Sequence, residues 1–248
     1  MIDIHAHILP GVDDGSQSLE TSLEMARLSV QSGVSAVVAT PHCNIPDDEC
    51  IKDAETMRRA VADFRRELQK NDIRLQIYEG MEIFATEDMV DRFYARELTT
   101  LNGSVYPLVE FPFAFFAGEA TGMLRSLISI GLRPIVAHPE RYEYVQEDPA
   151  LLHIWFSMGC YLQVNRGSLT GRFGEQIEEL SLSMLERGFI SFIASDAHSP
   201  VFRTTWMEDV RDLVTEHMGA KYASLLLSKN PSRMLKNLEI TREDPLWY

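Results

Sequence analysis

Short apolar, β-branched runs alternate with amphipathic stretches along most of this chain. That alternation limits the possible fold more than any other feature. The runs lie at 2–7, 35–40, 74–78, 105–109, 134–137, 161–164 and 189–194. Ser35-Ala36-Val37-Val38-Ala39-Thr40 is typical of a strand buried on both faces. Between the first two runs, Leu19, Leu23, Ala26 and Val30 recur on one helical face, with Ser18 as N-cap and Gly33 closing the helix. Ala54, Met57, Val61, Phe64 and Leu68 mark the next helix, and Arg58, Arg59, Arg65 and Arg66 lie off that seam as a solvated face. About seven βα units predict an α/β fold, a parallel sheet with helices outside, closed or nearly closed into a TIM-like barrel. A chain of 248 residues suits one such barrel, and no low-complexity linker or internal repeat breaks it.

Charge narrows the partners. The formal net charge is −14, and no basic stripe is present to displace phosphate counterions, which argues against nucleic acid. The opening residues lack the pattern of a signal peptide, and no apolar stretch approaches the roughly 20 residues of a membrane span. Membrane insertion is therefore not expected. Cys43, Cys50 and Cys160 are odd in number and far apart, which suggests a reducing compartment, so a cytoplasmic protein is expected.

In a barrel of this kind, chemistry sits where the strands end. The first run ends His5-Ala6-His7 and the second Thr40-Pro41-His42; the third leads to Glu82. The later runs end at Glu110, His138, Asn165-Arg166 and Asp196-Ala197-His198. Five of the seven histidines stand at these ends, while His153 and His217 fall inside helical stretches and read as ordinary residues. Any one of these side chains alone would be structural as readily as functional. Their repeated placement at the same end of successive strands points to metal, and imidazole with carboxylate suits Mn²⁺, Fe²⁺ or Zn²⁺. Asp13-Asp14 in the first loop adds a further carboxylate. Nine candidates exceed what one four-coordinate site can use, so more than one ion is expected.

The opening Ile2-Asp3-Ile4-His5-Ala6-His7-Ile8-Leu9-Pro10-Gly11-Val12-Asp13-Asp14-Gly15 closely resembles that of bacterial protein-tyrosine phosphatases of the PHP (polymerase and histidinol phosphatase) superfamily. Those enzymes are linked to capsule and exopolysaccharide synthesis. Thr40-Pro41-His42, Gly80-Met81-Glu82-Ile83, Glu110-Phe111-Pro112, Ala137-His138-Pro139-Glu140-Arg141-Tyr142 and Ser195-Asp196-Ala197-His198 match in order and spacing. The resemblance reaches about Leu238; it implies a distorted seven-stranded PHP barrel as one domain over residues 1–238, and leaves residues 239–248 as a tail of unassigned role. It also implies three divalent ions, with Mn²⁺ expected and Fe or Zn as alternatives. The first would take His5, His7, Glu82 and Asp196, the second Asp14, His42 and His198, and the third Glu82, Glu110 and His138, with Glu82 bridging. Arg141 and Arg203 match the family's phosphate-binding arginines; loop ion pairs are their plainer reading. The implied substrate is a phosphotyrosine protein, with the tyrosine-rich tail of a capsule-type tyrosine kinase as the expected partner.

The chemistry expected of such a centre is hydrolysis, in which close cations lower the pKa of a bridging water to give hydroxide near neutral pH. Cys160-Tyr161-Leu162-Gln163-Val164-Asn165-Arg166 fits the C-x5-R signature of cysteine-dependent phosphatases, but it has no glycine and reads as a strand, so the match is assigned to chance. A small-molecule phosphoesterase such as a histidinol-phosphate phosphatase would share every ligand. An amidohydrolase with a carbamylated bridging lysine is excluded, because no lysine lies between Lys70 and Lys221. A non-catalytic metal-binding protein would be expected to lack the bridging ligand or the arginines. Phe111-Pro112-Phe113-Ala114-Phe115-Phe116 reads first as a core or lid segment and second as an apolar rim for an aromatic substrate.

Overall fold

The computed structural model describes residues 1–46 and 53–242. Cys50 and the end of the tail, including Trp247 and Tyr248, lie outside the described residues. Nine strands are present among the described residues: β1 (Ile2–Ala6), β2 (Ala36–Ala39), β3 (His42–Cys43), β4 (Gln76–Glu79), β5 (Glu82–Phe84), β6 (Leu108–Glu110), β7 (Ile135–Ala137), β8 (Tyr161–Asn165) and β9 (Phe192–Ala194). All pairings are parallel, in one sheet ordered β1-β2-β4 and another ordered β3-β5-β6-β7-β8-β9.

The two sheets make one barrel. Thr40-Pro41 separates β2 from β3, and Gly80-Met81 separates β4 from β5, so two of the seven staves are each built from two short strands. Proline has no N–H to extend the ladder through position 41. The ladder resumes at once, because Glu82 N donates to Pro41 O at 3.1 Å and His42 pairs in register with Glu82. β9 returns to β1 through Asp196 N to His5 O at 2.9 Å and His7 N to Ala197 O at 2.8 Å, which closes the ring. The seven predicted runs are thus the seven staves. The sequence reading missed β3 and β5, which are too short to carry a periodic signal.

Alternation along the strands divides the core into two layers. Val38, Leu108, Ile135, Tyr161 and Phe192 cluster together as an apolar plug within the barrel. Val37, Val109, Val136, Leu162 and Ile193 face the surrounding helices. Further along the plug-facing positions come Glu110, Gln163 and Asn165, all buried and polar. The same period that builds the plug therefore delivers polar groups to one end of the barrel.

Two helices show how far local sequence goes. Helix α2 (Ala54–Lys70) buries the five residues predicted for its seam, and the Asp53 side chain caps it by accepting from Glu55 N and Thr56 N. Arg59 and Arg66 pair with Glu55 and Asp63 on the outer face, while Arg65 Nε reaches Ile77 O at 2.8 Å. Helix α1 (Leu19–Gln31) starts at Ser18 as predicted, but Val30 is exposed; Ser22, Met25 and Ser29 join Leu23 and Ala26 in the buried face. The serines are satisfied locally, Ser22 Oγ on Ser16 Oγ at 2.8 Å and Ser29 Oγ on Met25 O at 3.0 Å. Small hydrogen-bonded residues are thus buried where an apolar count would not place them. Residues at the start of the tail pack under the barrel, with Ile240 buried and Thr241 N bound to Asn230 Oδ1 at 3.2 Å.

Candidate functional site

All nine predicted metal-binding side chains meet at one end of the barrel. β1 brings His5 and, one residue beyond it, His7; β3, β5 and β6 bring His42, Glu82 and Glu110; the turns after β7 and β9 bring His138, Asp196 and His198. Asp14 comes from the first loop and is the most open of them. His138 and Asp196 both adopt left-handed backbone conformations, with φ of 31° and 50°. Such angles are uncommon away from glycine and cluster at functional sites.

Glu82 stands at the centre. Its Oε1 lies 3.2 Å from His5 Nε2 and 3.0 Å from His138 Nε2, and its Oε2 lies 3.1 Å from both His7 Nε2 and His42 Nδ1. Asp196 Oδ1 is 3.4 Å from His5 Nε2 and 3.5 Å from His7 Nε2. Asp14 Oδ1 is 3.5 Å from His42 Nε2 and 3.4 Å from His198 Nε2. Three groups have ligand atoms within 4.8 Å of one another: His5, His7, Glu82, Asp196; His7, Asp14, His42, His198; and His42, Glu82, Glu110. The first matches an expected set. The second adds His7. The third contains His42 where His138 was expected, although His138 Nε2 also reaches Glu110 Oε1 at 3.5 Å.

The donor set fits cations. Asp196, an acceptor, takes Asn165 Nδ2 at 2.6 Å, which turns Asn165 Oδ1 toward Gln163 Nε2 at 2.8 Å. Gln163 Oε1 then faces His5 Nδ1 at 2.9 Å and fixes the proton there. Asp13 does the same for His7 Nδ1 at 2.6 Å. Both Nε2 lone pairs therefore point inward, 3.3 Å apart. Glu82 Oε2, Asp196 Oδ1 and His42 Nδ1 are buried without a hydrogen-bond partner. Acceptors converging with no donor between them are the arrangement that a divalent ion completes, with outer carboxylates and amides setting the tautomers. Gly15 permits this packing, since a Cβ there would lie 2.4 Å from both the Cβ and the carbonyl oxygen of His7.

Without a cation the charges strain against one another. Burial, joined by the charges of Glu82 and Asp196, pushes the Glu110 carboxyl up to about 9. Burial drives His138 down to about 4. Burial also opposes a charged His7, but the Asp13 carboxylate overrides it and holds the imidazole well above its ordinary value. Likewise burial would raise Glu82 and Asp196, yet the neighbouring histidines, and Arg203 at Asp196, keep both well below.

Both predicted arginines border this cluster. Arg141 Nη1 lies 3.3 Å from Asp196 Oδ2, and Arg203 pairs with the same oxygen while its Nε donates to Asp196 O at 3.0 Å. Arg203 Nη1 also approaches His198 Nε2 at 3.1 Å. Arg166 is turned away to Asp209, with Nε to Oδ1 at 2.7 Å. Phe111 is fully buried, whereas Phe113 stands at the mouth with its ring stacked near His138, centroids 6.1 Å apart. Of the supporting residues, Asp13 reads in the sequence only as a loop carboxylate beside Asp14, and Gln163 and Asn165 carry no site role there. The readable signal for the last two was a polar residue at alternate positions of an otherwise apolar buried run.

Cys160 lies just before β8 and Arg166 just after it, so the chain between them is a strand and not a phosphate loop. Burial pushes the Cys160 thiol up to about 12. Cys43 is buried on the strand face opposite His42. We expect Cys160→Ser to retain most of any phosphatase activity; loss of turnover in a folded variant would return the nucleophile to sulfur.

A parallel α/β barrel with buried histidines and carboxylates massed at its strand ends defines a barrel protein with a candidate metal centre. The chain belongs to the CpsB/CapC family of capsular polysaccharide synthesis, whose model matches residues 1–236. It is 35% identical over 245 residues to tyrosine-protein phosphatase YwqE of Bacillus subtilis, covering 99% of this chain and 95% of that one. It is 29% identical over 247 residues to tyrosine-protein phosphatase CpsB of Streptococcus agalactiae, covering 96% and 99%. The crystal structures of YwqE from B. subtilis and CpsB from Streptococcus pneumoniae, described as unique metal-dependent tyrosine phosphatases, include a chain that superposes with a TM-score of 0.93 at 35% identity, covering 99% of this chain and 98% of that one.

Proposed function

We propose that this protein is a metal-dependent protein-tyrosine phosphatase of capsule or exopolysaccharide synthesis. The observation that carries the reading is the inward convergence of unpartnered histidine and carboxylate atoms beside two arginines, in a chain whose relatives bear that activity. His5, His7, Glu82 and Asp196 would hold one ion, Asp14, His42 and His198 a second, and Glu82, Glu110 and His138 a third, with Mn²⁺ the favoured metal. When bound, these ions supply Lewis-acid charge and a water of lowered pKa. The chain's own groups do the rest. Gln163 and Asp13 keep the His5 and His7 protons on Nδ1. Asp196 anchors both guanidinium groups beside the cluster, where their N–H groups can meet phosphoryl oxygens as charge shifts to the leaving group. Tyrosine leaves as a phenolate of pKa about 10, so little help from a general acid is required. The physiological target proposed is the tyrosine-rich tail of a capsule-type tyrosine kinase. The odd cysteine count supports a cytoplasmic setting.

The test is kcat/KM on metal-loaded protein for phosphotyrosine and phosphoserine peptides of equal charge, with histidinol phosphate as the small competitor. Phosphotyrosine should be preferred; faster histidinol phosphate turnover would make this a small-molecule phosphoesterase. Arg141→Ala and Arg203→Ala should each keep their metal and lose roughly ten- to a hundredfold in kcat/KM, the scale of a charged hydrogen bond of about 1.5–3 kcal/mol. Unchanged kcat/KM in both would mean that phosphate is held without them.

A further inference from the structure

Four of the eight exposed large apolar side chains among the described residues, Phe113, Phe116, Val201 and Phe202, stand in the loops after β6 and β9, and Phe113 among them borders the site beside His138. Isolated exposed apolar residues are ordinary, but a group placed around a polar centre marks a binding surface. Here the rings and cations alternate. The Arg141 guanidinium lies between Phe113 and Phe173, with its carbon 4.7 Å and 4.5 Å from their ring centroids. Next along the rim, Arg172 lies 5.8 Å over the ring of Phe202, which immediately precedes Arg203. The loop after β8 is shaped to permit this. A Cβ on Gly167 would come within 2.9 Å of the Phe173 ring and 3.3 Å of Arg172 Cδ, so only bare backbone lets Phe173 lie against Arg141.

We infer that Phe113, Phe173 and Phe202, with Arg172, form a specificity wall for the phenyl ring of an aryl phosphate. Its phosphoryl end rests on the phosphatase reading of the site above. The aromatic sandwich holds Arg141 toward Asp196, so the guanidinium meets the phosphoryl group without first being ordered, and cation–π contact fixes its plane. Phe202 is 74% exposed and presents its ring to solvent at the opposite end of the wall. A ring entering between them would gain offset or edge contacts that an alkyl phosphate cannot make.

The test separates recognition from turnover. Dissociation constants of phenylphosphonate and methylphosphonate, neither of which is hydrolysed, are measured by calorimetry on metal-loaded native protein and on Phe173→Ala, Phe202→Ala and Phe202→Tyr. The native protein should favour the phenyl compound. Each alanine variant should reduce that preference roughly three- to tenfold at unchanged metal content, the scale of one aromatic contact, and Phe202→Tyr should restore it. Equal native affinities, a preference unmoved by both alanine changes, or no restoration by tyrosine would overturn the wall. A preference that behaves as expected in a protein that does not hydrolyse phosphotyrosine would leave the wall standing and remove the phosphatase reading.

Discussion

Stripping the metal with a chelator should abolish phosphatase activity, and Mn²⁺ or another suitable divalent ion should restore it. This is the largest effect expected of this protein, because the inward-facing atoms have no other electrophile to serve. The same experiment has a readout independent of turnover. In the metal-free protein Glu110 is pushed up to about 9 from an ordinary 4.5. Between those values the folded state holds a proton that the unfolded chain releases, so stability falls as pH rises through that window. Buried Glu140, raised to about 7, acts in the same direction, as does His7, held above its ordinary 6.5. His138, lowered to about 4, contributes the opposite slope only below its ordinary 6.5. From pH 6.5 to 9 the metal-free protein should therefore lose Tm steadily. A bound cation would replace the protons of Glu110 and His7, whereas Glu140 lies outside the ligand sets and acts alike in both forms, so the gap in Tm between loaded and stripped protein should widen across that range. Full activity after stripping, or a gap that narrows with rising pH, would sink the proposed centre.

Asp196→Ala should lower kcat on the order of a thousandfold or more, about 4 kcal/mol of barrier. One oxygen of Asp196 faces His5 and His7; the other takes Asn165, Arg141 and Arg203. Alanine removes a candidate ligand and the carboxylate that pairs with both guanidinium groups, so the loss should exceed that of either arginine variant. It should also unfasten the amide chain through Asn165 and Gln163 that fixes the His5 tautomer. Metal analysis and kcat on the folded variant check this. A kcat within tenfold of native at full metal content would show that Asp196 is structural.

Much of the architecture was legible because it is written in local periods. The buried face of α2 follows from 3.6-residue spacing, and the staves follow from short β-branched runs. The ligand types were legible for a related reason. Singly a histidine or carboxylate at the end of an apolar run can be structural, but its recurrence at the same end of successive runs is not explained by packing. Where the signal was short or cooperative, reading failed. β3 has two residues and exists only because β5 lies beside it. Val30 is on the open side of α1 because hydrogen-bonded serines occupy the closer packing.

Sequence by itself thus determined the alternation, the apolar plug and the side chains gathered at one end, since each depends on residue type and spacing along the chain. Tertiary structure alone decided how those side chains share atoms. Glu82 becomes the common partner of four histidines only when closure of the ring points the ends of β1, β3, β5 and β7 at one centre. Asp196 turns inward through a left-handed residue held by its hydrogen bond to His5 on the first strand. The rim is decided in the same way, with Phe113 and Phe173 meeting on either side of Arg141 from loops far apart in sequence. Each is a contact between distant segments, whose geometry is set by barrel closure and by burial, and neither leaves a periodic mark on the chain.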